Sequence, residues 1–397
     1  MLTVRKIGFF APLMLVLALP GFAQWYNQVS GTVDNLYAVR FATKDTGIAV
    51  GGSLNQSTFL KTTNGGLSWQ TLHFSSSKWM YALEYLGNGT FVTAGYNGVI
   101  YKTTDYGSTW NPRPSGTSEW IYDLYFPHPD TGYAVGLNGV ILRSVNGGDN
   151  WSSLPYQAPV TLLDVHFYTP RLGMAVGIDG RIFKTTNAGS TWEEMNNEDN
   201  RTLSSVWMVD ADTIVACGFE GLILRSTNGG QSWGTVISGT PHHLQDLVLA
   251  ENGILYAVGY GSIIRSSDAG ISWSIMNYPV TTDLTAVEVV DVGTAYAVGL
   301  SGTIIKNDLS LTAPGFSEKQ IIVYPNPAKT ECFINIPEEM HIQEVHLTDI
   351  QGVIVLKYKV TQLVNYRIPL ESLPPGAYFI HFRGNDFSLV TPVLITR

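Results

Sequence analysis

Tryptophan recurs in this 397-residue chain at Trp69, Trp110, Trp151, Trp192, Trp233 and Trp273, spaced 41, 41, 41, 41 and 40 residues apart. A fixed period of that size marks a solenoid or a propeller, because one short unit cannot bury its apolar face alone. Each of these tryptophans closes the same box, [Ser/Thr]-x-[Asp/Asn]-x-Gly-x-x-Trp, with Asn64, Asp105, Asn146, Asn187, Asn228 and Asp268 at the third place. An Asx side chain there can accept backbone N–H bonds within its own turn, and the glycine supplies positive φ. The Trp then packs a ring of on the order of 150–250 Å² beneath the turn.

A second mark accompanies the box, as in Ala134-Val-Gly136-Leu-Asn-Gly139-Val-Ile-Leu142, where two β-rich runs flank a Gly/Asn turn. Its first glycine recurs at Gly51, Gly95, Gly177, Gly218, Gly259 and Gly299, which makes seven hairpins against six boxes. The last unit loses its Trp after Lys306, while Trp25 stands alone near the start. Placing Trp25 after Lys306 on a circle completes a seventh unit. Four strands are expected per unit, in the third at Ile121 to Phe126, Gly132 to Val135, Val140 to Arg143 and from Trp151. The prediction is an all-β chain with a seven-bladed β-propeller over residues 24–310, closed by its N-terminal strand so that no sheet edge stays open.

The boxes resemble the Asp-box (BNR) repeats of sialidases and other secreted propellers. The region from Trp25 to Lys306 looks most like the Ycf48/Hcf136-type propellers, named for photosystem II assembly factors. That resemblance implies the fold and a structural role for the boxes, on the rim away from a ligand face. Asn stands in four of the six boxes, which disfavours metal binding.

Arg5 and Lys6 precede an apolar run from Ile7 to Pro20 and a small-residue site at Gly21-Phe-Ala-Gln24, so residues 1–23 read as a secretory signal peptide. The run is too short to span ~30 Å of hydrocarbon, so no transmembrane segment is expected in the mature protein. A net charge of −9 argues against nucleic-acid binding. Cys217 and Cys332 fall in different domains and read as free thiols.

Function is sought in what does not repeat. Trp79 and Trp120 occupy equivalent places just before the innermost strand of successive units, where His243 stands in another. The preceding place carries Glu119, Arg201 and His242. In a propeller the loop entering the innermost strand shares a face with the Gly-x-x-Gly turn. Trp79, Trp120, Glu119, Arg201, His242 and His243 are therefore the candidate ligand-binding residues, joined by turn residues such as Tyr96, Asn138, Glu220 and Tyr260. Aromatic platforms with polar neighbours suit sugar rings or peptide segments. The competing reading makes the two tryptophans plugs between blades. A basic residue also precedes every box (Lys61, Lys102, Arg143, Lys184, Arg225, Arg265, Lys306), either as architecture or as a ring facing an acidic partner.

No catalytic residue, metal or cofactor is expected, and the leading reading is a non-catalytic module binding an unknown protein or glycan. The alternative is a secreted glycoside hydrolase, sialidase-like or endo-glucanase-like, with Asp34, Glu84, Glu119, Asp283 and Glu288 as candidate carboxylates. Asp123, Asp164 and Asp246 recur at one strand register and read as structural. The pair His242–His243 reads as lying on a strand with diverging side chains, a weak metal site.

After Lys306 the composition changes to a linker at 311–319, and 320–397 reads as a small antiparallel β-sandwich of seven short strands. Val323-Tyr-Pro-Asn-Pro-Ala328, Leu347-Thr-Asp-Ile-Gln-Gly352 and Leu373-Pro-Pro-Gly-Ala-Tyr-Phe379 follow in order. Together they resemble the type A C-terminal sorting domain of the type IX secretion system of Bacteroidetes. The resemblance implies that secretion machinery as a partner, passage through the periplasm, and a secreted or outer-membrane surface location.

Overall fold

The computed structural model describes residues 25–308, except 54–55, 73–75, 156–157, 159 and 277, and residues 322–395, except 325–327, 336–341, 350–352, 360–365 and 385–387. The expected signal peptide and linker lie outside the described residues. The chain divides into two compact units, Met1–Thr312 and Ala313–Arg397.

In the first unit the period of about 41 residues becomes seven four-stranded antiparallel sheets. Their innermost strands, which number the blades 1 to 7, are Asn35–Phe41, Met80–Gly87, Ile121–His128, Leu162–Phe167, Leu203–Met208, Leu244–Leu249 and Leu284–Asp291. Blade 3 continues outward through Thr131–Gly136, Ile141–Ser144 and Ser152–Ser153. Blade 7 is completed by Trp25–Gln28, paired with Ile304–Asp308 from Trp25↔Asn307 to Gln28↔Ile304. Innermost strands pack against their neighbours around the ring, the seventh on the first. The N-terminal strand thus closes the circle.

Each box turn is tied as its residue types require. In blade 3, Ser144 Oγ accepts the Gly148 N–H at 2.9 Å and Asn146 Oδ1 accepts the Asn150 N–H at 3.0 Å. The other five boxes repeat both bonds. The box tryptophans fill the seams between blades. Seven apolar clusters each straddle two neighbouring blades and each receives one: Trp69 at the closing seam between blades 7 and 1, then Trp110, Trp151, Trp192, Trp233, Trp273 and, between blades 6 and 7, Trp25. Truncating such a side chain costs about 3–5 kcal/mol. The basic residue before the box reaches across the other seam of its blade, to the box turn of the next blade. Lys184 Nζ donates to Gly229 O at 2.6 Å, Arg225 Nε to Ala269 O at 2.8 Å, Lys306 Nζ to Gly65 O at 3.3 Å, and Lys102 pairs with Asp149 at 3.0 Å. These contacts favour the architectural reading of the basic series.

The hairpin glycine has a different cause from the box glycine. Gly136 is extended, with φ near −176°. Its constraint is contact, because a Cβ there would lie 1.9 Å from the Trp120 carbonyl oxygen. The same clash, at 1.9–2.1 Å, arises at Gly51, Gly95, Gly177, Gly218, Gly259 and Gly299.

The second unit holds a three-stranded sheet, with Glu331–Asn335 between Ile322–Tyr324 and Tyr366–Pro369. Its four-stranded sheet runs Ile354–Lys359, Ile342–Thr348, Gly376–Gly384, Ser388–Ile395. Cys332 and Ile368 of the first pack with Val345, Ile380 and Val393 of the second.

Gly136→Ala is expected to destabilise the propeller by about 1–3 kcal/mol through overpacking against backbone. Gly234→Ala is the control, since its Cβ would meet nothing closer than 3.9 Å. Equal melting curves for the two variants would contradict this account of the hairpin glycines.

Candidate binding face and axial channel

All seven innermost strands carry a β-bulge at one register, for example between Leu36 and Ala38 and between Ile121 and Asp123. A bulge interrupts strict alternation. The second and third residues of each strand's buried run therefore both line the axis, together with the fifth. They enclose a cavity of about 230 Å³.

The second residues include Tyr37, Tyr81 and Tyr122. Their rings join the residues that enter the strands, with centroids 5.3 Å apart for Tyr37–Tyr81, 5.5 Å for Tyr81–Tyr122 and 6.2 Å for Tyr81–Trp120. Tyr96 lies 4.7 Å from Trp120 and 6.3 Å from Trp79. Trp79, Trp120, Tyr96 and the tyrosine collar thus form one continuous aromatic surface over blades 1 to 3.

Both tryptophans are half-buried. Trp79 Nε1 donates to the Ser53 carbonyl at 2.5 Å, which pins it to the hairpin tip of blade 1. Glu119, beside Trp120, accepts from Asn138 Nδ2 at 2.9 Å. The remaining candidates lie at blades 5 and 6, where Arg201 and His243 are engaged locally. Arg201 pairs with Asp199 at 2.5 Å. His243 stacks on Phe219 at 4.2 Å and accepts the Glu220 N–H at 2.8 Å. His242 is exposed. Both histidines precede the strand that opens at Leu244 instead of lying on it, a correction to the sequence reading.

Below the collar the channel is acidic. Asp123, Asp164 and Asp246 each accept a backbone N–H from the next blade: Val165 at 3.1 Å, Val206 at 2.6 Å and Val287 at 2.8 Å. They are structural, as their register suggests, and they also line the cavity. In the deepest layer Arg40 bridges Glu84 at 3.0 Å and Glu288 at 3.3 Å. Two candidate carboxylates of the hydrolase reading are therefore held by one guanidinium. His166 is kept neutral by burial, which lowers it to about 3, and its ring packs tilted against Trp207, with centroids 4.3 Å apart.

Burial dominates the carboxyl groups. It raises Asp246 to about 6 and Glu288 to about 7, against the opposing pull of Arg40. Asp123 is pushed up by burial and by the Asp164 carboxyl hydrogen-bonded to it. The collar and Arg40 were absent from the sequence-based site. The collar did have a signal, because Tyr37, Tyr81 and Tyr122 repeat at one register in three successive units.

A carboxyl whose folded pKa exceeds its unfolded one withholds stability as pH rises. Between about pH 4 and 7 the unfolded chain releases protons that Asp246 and Glu288 keep, so stability falls across that window and levels above it. The expected loss is on the order of 2–3 kcal/mol per group, and Asp246→Asn flattens the curve. Groups held low, such as Asp105 at about 2 despite slight burial because Thr103 and Thr109 donate to it, act below this window. Denaturation midpoints that rise from pH 4.5 to 7.5 would sink the assignment.

Among the described residues, no cluster of His, Cys, Asp and Glu is arranged to hold a metal ion, and no helix is long and apolar enough to cross a membrane. No curated protein matches the chain. Residues 149–241 match the family model for photosynthesis system II assembly factor YCF48, and residues 322–396 match that for the secretion system C-terminal sorting domain. Solved structures with this fold include YCF48 bound to D1 peptide, 18% identical with a TM-score of 0.62, covering 75% of this chain and 99% of that one. YCF48 from Cyanidioschyzon merolae is also 18% identical, with a TM-score of 0.61 and coverage of 72% and 100%. The WD40 β-propeller domain of Doa1 is 12% identical, with a TM-score of 0.62 and coverage of 74% and 100%. The chain is thus similar to the YCF48 propellers in its first unit and carries a secretion sorting domain in its second, which marks it as a secreted or cell-surface propeller.

Proposed function

We propose that this is an exported, non-catalytic binding module whose aromatic face, centred on Trp79 and Trp120, takes an extended segment of a partner protein. The observation that carries the reading is the unbroken aromatic surface from Trp79 and Tyr96 through Trp120 to the tyrosine collar. Aromatic faces bury the apolar flanks of a bound segment, while the polar turn residues beside them meet its amide groups. A YCF48 propeller of the same fold has been solved with a peptide bound, which supports a peptide over a sugar. The sorting domain supplies the export, through the type IX machinery and the periplasm, to the cell exterior.

Trp79→Ala with Trp120→Ala is expected to lower affinity at least about tenfold for ligands recovered from peptide and glycan arrays. Unchanged affinity in a variant that still melts cooperatively would overturn the reading. Release of reducing ends from a polysaccharide panel would favour the hydrolase. Deleting 320–397 is expected to trap the propeller in the periplasm of a host with that secretion system, and continued surface display refutes the export route.

A further inference from the structure

We propose that the axial channel binds an alkylammonium group, the end of a lysine side chain or of a free amine, entering past the tyrosine collar to lie among Asp123, Asp164 and Asp246. This rests on the face above being a binding surface, because Tyr37, Tyr81 and Tyr122 belong to both.

The first ground is charge. Glu84, Asp123, Asp164, Asp246 and Glu288 line the cavity, and Arg40 is the one Lys or Arg among its lining residues. Its guanidinium is already occupied by Glu84 and Glu288. His166 supplies no charge: its Nδ1 accepts the Met208 N–H at 3.2 Å and its ring is enclosed by Tyr125 and Trp207. Asp246 feels the pull of Arg40 and Asp123 is hydrogen-bonded to Asp164, yet five carboxyl groups face one cation among the lining residues. Each ionised carboxylate offers about four acceptor sites, more than the backbone N–H bonds and the Ser205 hydroxyl, which donates to Asp164 at 3.0 Å, occupy. Buried carboxylates left in this state must take up protons or find a positive partner.

The second ground is independent of charge. Ser204, at the collar register of blade 5, lines the same cavity, is only 8% exposed, and its hydroxyl has no hydrogen-bond partner. A buried hydroxyl left unpaired is costly, and a ligand N–H at that depth would satisfy it.

The third ground selects the cation. The collar rings attract a positive charge on its way in. An ammonium carries three N–H donors on a compact head, which suits several acceptors around an axis, whereas a guanidinium is planar and forked. A metal ion fits less well, since no described set of side chains is arranged to hold one.

Calorimetric titration of the full chain with cadaverine, and with a blocked Gly-Lys-Gly tripeptide, tests the proposal. Both are expected to bind, while pentanol and the Nε-acetylated tripeptide are not. Asp123→Asn with Asp164→Asn keeps an oxygen for each backbone N–H and is expected to weaken binding at least about tenfold. Ser204→Ala, a smaller change to the fold, is expected to weaken it about two- to fivefold. Tighter binding of the tripeptide identifies a lysine of a partner chain as the source, and tighter binding of cadaverine a free amine. Binding that survives acetylation, or that is unchanged in both variants, overturns the proposal, as does failure of both amines to bind. Cadaverine reports on the channel alone, so its failure leaves the face reading intact. Unchanged peptide or glycan affinity in the tryptophan variant overturns the face reading and with it the entry route for a partner's lysine, while cadaverine binding still reports on the channel by itself.

Discussion

The approach of each hairpin glycine to the carbonyl preceding the innermost strand sets the geometry of everything nearer the axis. At Gly95 and Gly136 those carbonyls belong to Trp79 and Trp120, and a Cβ would lie 1.9 Å from either oxygen. Because only hydrogen stands there, the carbonyl comes close enough to accept the next N–H of the turn, Tyr96 to Trp79 at 2.9 Å and Leu137 to Trp120 at 2.8 Å. The entering residue is thereby fixed in six blades, whatever its side chain. That leaves its side chain free to vary, and the variation, Trp in two blades and Asn, Thr, His or Asp in others, builds the face.

The seams and the axis solve opposite problems. At the seams, apolar surface is buried between sheets that would otherwise expose it, and one Trp per seam supplies most of the bulk. At the axis, seven strands converge without a seam to fill, and polar side chains are brought together away from bulk water. Each aspartate there braces the next blade through a backbone N–H. Bracing places the carboxyls close enough to interact, and Asp164 holds the Asp123 carboxyl in its protonated form. A stabilising device at the level of the blade therefore creates an unbalanced charge at the level of the ring.

The repeat spacing and its circular completion by Trp25 were readable because the interactions behind them are local or periodic. An Asx turn, a hairpin and a seam Trp each leave the same residues at the same interval. The face was readable only in part. Trp79 and Trp120 stand out because they break the repeat, yet His243 at the same register and Arg201 one place before it are engaged in blades 5 and 6, away from the aromatic surface. Register identifies a face of the ring and says nothing about which arc of it a side chain joins. The channel was missed for a further reason. Strict alternation would turn Tyr81 and Ala82 to opposite sides, and only the bulge brings both to the axis.

The amino-acid sequence by itself determined the closed seven-bladed scaffold, because each blade is specified by contacts within about forty residues and the ring needs only their repetition. It also determined the C-terminal sorting domain, whose three motifs lie in order along the chain. Tertiary structure alone decided which side chains meet at the axis: Arg40 with Glu84 and Glu288, Asp123 with Asp164, the tyrosine collar with Trp120. Those meetings join residues from different blades, and closure of the ring, not any local preference, sets the distances between them.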